Sequence, residues 1–186
     1  MKLFRLLKPQ GESLAVSMAG VKLGDRLLVV GCADPLLIAR LAVKTGLTGR
    51  ACAVDAETAL TTRAQGVAVR EGALLETLTA PWSALPLEPD TFDVAVIRDV
   101  FPALEHDVRA ACAKDVQRVL RPGGRCLVID SAPGGLGGLI KRTPARPDYA
   151  AHGGPVGVLE ATGFLAARIL AERNGLMFAE AAKANR

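Results

Sequence analysis

One carboxylate stands where a ligand-binding residue is expected. Asp55 directly follows the apolar run Arg50–Val54 and comes 24 positions after Gly31, which ends the preceding apolar run. A carboxylate at the end of a second strand, in a unit of this kind, can accept hydrogen bonds from both hydroxyls of a ribose. The other interpretation is an exposed loop acid. The spacing favours the ribose-binding role of Asp55 over that of an exposed loop acid.

The turn Gly31-Cys-Ala-Asp-Pro is the second candidate. A glycine directly after the run Arg26–Val30 lets a ligand approach the backbone closely, because glycine has no side chain. Many strand-to-helix turns contain one glycine for conformational reasons alone. The turn therefore supports a binding site only in combination with Asp55.

Two further positions follow later apolar runs. Trp82 is the only tryptophan, and its ring could wall an adenine, with Ser83 offering a polar contact to the same base. Trp82 could equally be a hydrophobic plug over the core. Arg98 and Asp99 follow the run Phe92–Ile97, where a reacting group would lie, or they form a charged pair in a structural loop.

Other chemistries have little support. No Ser/His/Asp set stands out, and His152 lies in a glycine-rich loop without an evident partner, which disfavours covalent hydrolysis. The four cysteines form no CxxC pair, so we expect small buried hydrophobic residues and no metal site. The pattern G-x-G-x-x-G is absent after the first strand, which disfavours a nicotinamide-dependent dehydrogenase.

Glycine and proline divide the chain into alternating strands and helices. A helix should begin at Asp34-Pro35, as N-cap and first helical residue, and end near Gly46. Further helices are predicted over Ala56–Arg70, Leu104–Leu120 and Gly154–Thr162. The predicted strands are Arg26–Val30, Arg50–Val54, Ala73–Thr79, Phe92–Ile97, Arg125–Ile129, Ala167–Glu172 and Leu176–Ala182, the last two joined by Asn174-Gly175.

This order predicts an α/β protein with a doubly wound, mostly parallel, seven-stranded sheet and a C-terminal antiparallel hairpin. Ligands of such sheets bind beyond the carboxyl ends of the strands, near the reversal of strand order. Four segments meet there: Gly31–Pro35, Asp55-Ala56, Pro81–Ala84 and Arg98–Pro102.

Length and composition indicate one domain over residues 1–186, with a helical cap segment over 1–20 and the core over 21–186. No apolar run is long enough to span a bilayer, and no secretory signal is recognisable, so we expect a cytoplasmic protein. The net charge is +4, and the positive excess lies from Arg109 onward. No basic run is interleaved with aromatic residues, so there is no clear nucleic-acid signal.

Four stretches together resemble the class I S-adenosylmethionine-dependent methyltransferases, most closely the small ones related to ubiquinone and menaquinone biosynthesis. Asp25–Ile38 resembles the strand-one glycine motif and Ala51–Asp55 the acidic motif after strand two. Leu85–Arg98 (LPLEPDTFDVAVIR) resembles the stretch leading into strand four, and Val119–Asp130 (VLRPGGRCLVID) the entry to strand five. The resemblance implies a Rossmann-like fold.

The resemblance also implies S-adenosylmethionine as the cofactor. Gly31 and Ala33 would line its methionine and ribose side, Asp55 would hold the ribose, Trp82 would border the adenine, and Arg98 would lie near the methyl group. The implied cofactor contacts are Gly31, Ala33, Asp55, Ala56, Trp82, Ser83 and Arg98. The implied reaction partner is a small-molecule or lipid-like methyl acceptor, with Tyr149, His152, Lys141 and Arg142 as candidate contacts.

The glycine motif departs from the family pattern D-x-G-x-G-x-G. Val29 replaces the acid, Gly31 is retained, and Ala33 and Pro35 replace glycines. Pro35 removes an N–H, and Asp34 places a carboxylate where that of the cofactor would approach. Two functions therefore stay open: an active methyltransferase, and a catalytically inactive member of the fold that serves as a binding or assembly partner.

Overall fold

The computed structural model describes residues 10–131 and 145–185, with side chains from residue 14 onward. In these ranges strands and helices alternate for most of the chain. The elements are α1 (Gln10–Ala19), β1 (Arg26–Val30), α2 (Pro35–Thr45), β2 (Arg50–Asp55), α3 (Thr58–Arg70), β3 (Glu76–Thr79), β4 (Phe92–Arg98), α4 (His106–Val119), β5 (Leu120–Ser131), α5 (Pro147–Ala151), α6 (Gly154–Ala161), β6 (Leu165–Arg173) and β7 (Leu176–Ala182).

The seven strands form one sheet in the order β3-β2-β1-β4-β5-β7-β6. Strands β1 to β5 run parallel, and β7 lies antiparallel between β5 and β6. This confirms the predicted doubly wound sheet with its C-terminal hairpin. Strand order reverses at β1, where Val30 pairs with Val54 on one side and Ile97 on the other. The carboxyl ends of β1, β2 and β4 therefore lie side by side.

The central strands are largely apolar because helices cover both faces of the sheet. One core cluster lies on the side of α4 and α6 and includes Phe92, Phe101 and Val116. The other lies on the side of α1, α2 and α3 and includes Leu41, Val96 and Phe178. None of the helices in the described ranges is long and apolar enough to cross a bilayer.

The start and end of α2 confirm the capping prediction. The Asp34 carboxylate accepts a hydrogen bond from the Leu37 N–H at 3.1 Å, and Pro35 occupies the first helical position. Gly46 follows the last residue with a φ of 65°. The hairpin turn is confirmed as well, because Asn174 and Gly175 both have positive φ, as a two-residue turn of this type requires.

The predicted helix Leu104–Leu120 was wrong in its start and in part of its buried face. A 3₁₀ turn over Phe101–Ala103 precedes α4, which begins at His106. Val108, predicted on the buried face, is exposed, whereas Arg109 is 1% exposed. The Arg109 guanidinium is buried because it donates hydrogen bonds to backbone carbonyls of the preceding loop. A hydrophobic pattern does not detect an arginine that is buried by such contacts to the backbone.

Smaller differences concern element bounds. The third strand is limited to Glu76–Thr79, and the strand predicted over Arg125–Ile129 extends back through the predicted turn to Leu120. There the Gly123 N–H donates a hydrogen bond to the Lys183 carbonyl, and the Lys183 N–H donates one to the Gly124 carbonyl. The short α5 was not among the predicted helices, and it begins at Pro147 because proline is tolerated at a helix start.

We expect Ile97→Ala to lower the free energy of unfolding by about 3 kcal/mol, because Ile97 is 0% exposed in the central strand β4. Ile169→Ala is the matched control, since Ile169 is 42% exposed on the edge strand β6, and it should cost less than about 1 kcal/mol. Urea denaturation of both variants measures the difference. Equal losses would contradict the described burial.

Candidate functional site

The turn after β1 passes close to the backbone at the end of β4. Gly31 has a φ of +98°, and its N–H donates to the Val54 carbonyl at 2.9 Å. A Cβ at this position would lie 2.5 Å from the Arg98 carbonyl oxygen and 2.7 Å from Val100 Cγ2. Only glycine satisfies both the dihedral angle and the close approach. The turn therefore brings the ends of β1, β2 and β4 together.

Asp55 is held against this turn. Its side chain is buried, with the residue 3% exposed, so it is not an exposed loop acid. Oδ2 accepts a hydrogen bond from the Cys32 N–H at 2.7 Å, and Oδ1 accepts one from the Glu57 N–H at 3.0 Å. A carboxylate has about four acceptor positions. Acceptor capacity therefore remains on both oxygens.

The other candidate residues follow the ends of neighbouring strands. The Ala80 N–H donates to the Asp55 carbonyl at 3.0 Å, which ties the segment after β3 to the end of β2. Trp82 is partly buried and packs against the core, as the plug interpretation expects. Ala33, Ala56 and Ser83 are exposed along the same edge.

Arg98 is directed toward β5. Its guanidinium donates to the Ile129 carbonyl at 3.2 Å and forms an ion pair of 2.5 Å with Asp99. Asp99 has a φ of 52° and accepts hydrogen bonds from the Ser131 N–H and hydroxyl. These contacts join the ends of β4 and β5, and they match the interpretation of Arg98 and Asp99 as a structural pair. Within the described ranges the buried Arg98 Nε has no hydrogen-bond partner.

A buried carboxyl group near the carboxyl end of β5 was not predicted from the sequence. Asp130 follows the apolar run of β5 as Asp55 follows that of β2, so the same rule would have found it. Asp130 is 1% exposed, and it accepts a short hydrogen bond from the Tyr149 hydroxyl. Its Oδ1 has no hydrogen-bond partner among the residues described.

Burial raises the pKa of Asp130 to about 7, against the lowering effect of the hydrogen bond from Tyr149. The nearby charge of Asp99 raises the pKa further, whereas Arg98 and Arg109 lower it. Burial and the neighbouring Asp130 also raise the pKa of Tyr149 well above its usual range. The Asp130 carboxyl therefore titrates near neutral pH, whereas the Tyr149 hydroxyl stays protonated and donates the hydrogen bond.

The expected acceptor contacts have different environments. Tyr149 is 4% exposed, and the Arg109 guanidinium lies 4.7 Å from the centroid of its ring. Lys141 and Arg142 fall outside the described residues. His152 was expected to lack a partner, which is wrong: its Nδ1 lies 2.6 Å from the Asp148 carbonyl oxygen.

The cysteines behave as small buried hydrophobic residues, as predicted. All four are free and buried. Burial raises the pKa of Cys32 to about 12 and that of Cys52 to about 11. Neither thiol is therefore a thiolate nucleophile or a ready metal ligand at neutral pH.

The sheet order, the glycine turn and the carboxylate at the end of β2 define a Rossmann-like fold of the class I methyltransferase type. Residues 28–128 match the family described as a methyltransferase domain. The chain belongs to this family. Family membership implies S-adenosylmethionine as the cofactor. No curated protein sequence matches the chain.

Solved structures share the fold at low sequence identity. A SAM-dependent methyltransferase from Aquifex aeolicus is 19% identical with a TM-score of 0.76, over 93% of this chain and 89% of its own. A SAM-dependent O-methyltransferase from Thermotoga maritima is 14% identical with a TM-score of 0.69, over 100% and 69%. The [4+2]-cyclase SpnF is 16% identical with a TM-score of 0.70, over 94% and 80%.

Gly31→Ala should destabilise the fold by at least about 3 kcal/mol, because the new methyl group meets the backbone of β4 and the positive φ is strained. Gly72→Ala is the matched control. Gly72 also has a positive φ, of 72°, but a Cβ there meets nothing within 4 Å, so it should cost only about 1 kcal/mol. Chemical denaturation compares the two, and similar losses would contradict the close crossing.

Asp130→Asn should remove a specific pH dependence of stability. The pKa of Asp130 rises from about 3.9 in the unfolded chain to about 7 when folded. The folded state therefore binds the extra proton between these values, and the wild-type free energy of unfolding falls as pH rises through that window. The loss is a few kcal/mol at most and is complete above about pH 7.

The difference between wild type and variant isolates this effect, since all other titrating groups are common to both. Asparagine keeps the size of the side chain, and its amide oxygen can still accept a hydrogen bond from the Tyr149 hydroxyl. Urea denaturation from pH 4 to pH 8 gives both curves. Parallel curves would show that the Asp130 pKa is not raised.

Proposed function

We propose that the protein transfers a methyl group from S-adenosylmethionine to a small or lipid-like acceptor. The observation that carries the proposal is the buried Asp55 carboxylate, bonded to the Cys32 N–H of the turn after β1. A ribose diol bound at the carboxyl ends of β1 and β2 would meet this carboxylate and the Gly31 backbone together.

The residues present fit a nucleoside-containing cofactor. Asp55 uses one acceptor position on each oxygen for backbone N–H groups, so each oxygen can still accept from a ribose hydroxyl. The exposed small residues Ala33 and Ala56 leave the edge of the sheet open for the ribose. In our proposal Trp82 borders the adenine with its exposed part while its remaining surface packs on the core.

The altered glycine motif affects the approach of the cofactor's carboxylate. The first-turn N–H groups of α2 are a natural anion site, but Asp34 already accepts the Leu37 N–H there. Pro35 contributes no N–H at all. We therefore propose that the binding free energy comes chiefly from the ribose and adenine side, with a weaker contribution from the methionine carboxylate.

When bound, S-adenosylmethionine supplies an electrophilic methyl group on a sulfonium centre. Transfer requires alignment of the acceptor with that methyl group, so a dedicated base is not essential. In our proposal the Arg98–Asp99 pair keeps the ends of β4 and β5 at a fixed separation on the acceptor side, through the Ile129 carbonyl and the Ser131 hydroxyl. Arg98 then acts as a positioning residue.

One observation favours the second candidate function, a catalytically inactive binding partner. Both Asp55 oxygens and the Asp34 carboxylate already accept backbone N–H groups, so the structure satisfies these acids without a ligand. The fold also hosts other reactions, since one structural neighbour is a [4+2]-cyclase. Cofactor binding is the measurement that separates the two candidates.

We expect calorimetric titration with S-adenosylhomocysteine to show one site per chain. Asp55→Asn should weaken binding at least about tenfold, because it removes the charge that strengthens the hydrogen bonds to the ribose. Asp25→Asn is the matched control. Asp25 accepts a hydrogen bond from the Lys22 N–H at the amino end of β1, so it lies at the opposite ends of the strands from Asp55. It should bind as wild type does.

Circular dichroism of each variant excludes unfolding as the cause of lost binding. No heat at about 1 mM ligand with folded wild-type protein would overturn the methyltransferase proposal and favour the inactive binding partner. Equal weakening in both variants would show that Asp55 does not contact the ribose.

A further inference from the structure

The chain has only two histidines, and the fold brings them together. His106 is the first residue of α4, and His152 directly follows the last residue of α5. Their ring centroids lie 5.0 Å apart, with an angle of 46° between the ring planes. Both side chains are exposed to solvent.

A carboxylate completes the group. Asp148 comes four residues before His152, so both face the same side of the single turn of α5. One ligand atom from each of His106, Asp148 and His152 can be chosen so that all three lie within 4.8 Å of one another. Tetrahedral zinc with ligand distances of about 2.0 Å needs separations of about 3.3 Å between its ligand atoms. The ligand atoms therefore have to move closer together by up to about 1.5 Å when zinc binds.

The hydrogen bonds around the group orient it for coordination. A carbonyl oxygen only accepts, so the contact between His152 Nδ1 and the Asp148 carbonyl oxygen places the proton on Nδ1. Nε2 is therefore the ring nitrogen left for a metal ion. Metal-binding histidines commonly donate their other N–H to a backbone carbonyl in this way, which fixes the tautomer and the ring orientation.

Asp148 is held in place by two arginines. Arg109 contacts one carboxylate oxygen at 3.2 Å, and the exposed Arg146 contacts the other at 3.3 Å. Arg109 also donates to two carbonyls, so it can stay in place while Arg146 moves away from an incoming cation.

The local charge permits a cation. Two guanidinium groups, Arg109 and Arg146, oppose it, but both lie against Asp148, and Arg146 also lies 3.7 Å from Glu105, so two carboxylates balance the two positive charges. Exposure of both imidazoles lets a metal ion enter and retain a water molecule as its fourth ligand. Two imidazoles with one carboxylate suit zinc and neighbouring divalent transition metals.

We propose that His106, Asp148 and His152 bind one zinc ion, which ties α5 to the start of α4. The site lies on the α4 side of the sheet and is separate from the Gly31–Asp55 edge, so it does not depend on methyl transfer. Bound zinc would hold α5, and with it the buried Tyr149, against the N-terminal end of α4.

The test uses full-length protein free of any polyhistidine tag, titrated with zinc chloride. Because the chain has two histidines, NMR of the imidazole groups shows two sets of signals, and His106→Gln assigns each of them. We expect both sets to shift together up to one equivalent of zinc. Calorimetry should show that His106→Gln, His152→Gln and Asp148→Asn each weaken binding at least about tenfold.

Asp107→Asn is the matched control, because Asp107 is an exposed acid next to His106 that does not belong to the three-residue group. It should bind zinc as wild type does. The proposal is overturned if zinc at about 1 mM shifts neither imidazole, if only one imidazole shifts, or if both histidine variants bind zinc as wild type does. The NMR titration of wild-type protein decides the question even if a variant fails to fold.

Discussion

The hydrogen bond from the Cys32 N–H to the Asp55 carboxylate links the two strand ends on which the site depends. It exists because Gly31 lets the chain turn directly beneath the end of β4, where a side chain would collide with the Arg98 carbonyl. The parallel pairing of β1 with β2 and β4 places the three strand ends at one level. The backbone therefore sets the geometry at the carboxyl ends of these three strands, and the side chains adapt to it.

A second polar layer lies on the other side of β4. Asp130 accepts a hydrogen bond from the Tyr149 hydroxyl, the Arg109 guanidinium lies over the Tyr149 ring, and Arg109 donates a hydrogen bond to Asp148. This connected series leads from the end of β5 to the surface at α5. Nε and Nη2 of Arg109 donate to carbonyls and a carboxylate, which offsets part of the cost of burying its charge, while its buried Nη1 has no hydrogen-bond partner among the residues described. Packing on this side therefore depends on polar contacts as well as on apolar area.

The fold of this protein does not by itself define its function. Family membership and the sheet order establish the methyltransferase architecture, and the same architecture occurs in a cyclase. Function depends on which groups stay free to meet a ligand. At the Gly31–Asp55 edge the acids already have backbone partners, and their spare acceptor capacity is what a ribose would use.

Sequence alone determined the features that arise from local order. The apolar runs, the Asp34-Pro35 helix start, the Asn174-Gly175 turn and the alternation of strand and helix follow from short-range sterics and hydrogen bonding, so they could be predicted. The position of Asp55 was predictable as well, because the carboxyl ends of neighbouring parallel strands lie together, and Asp55 ends such a strand.

Tertiary structure decided what depends on contacts between distant segments. The burial of Arg109 required carbonyls that only the folded loop presents, so a hydrophobic pattern placed Val108 inside instead. Likewise, no local pattern unites His106 with His152, because their proximity results from α5 packing beside the start of α4. Spacing along a chain reports neighbours within one element, whereas contacts between elements depend on how the sheet and its helices pack.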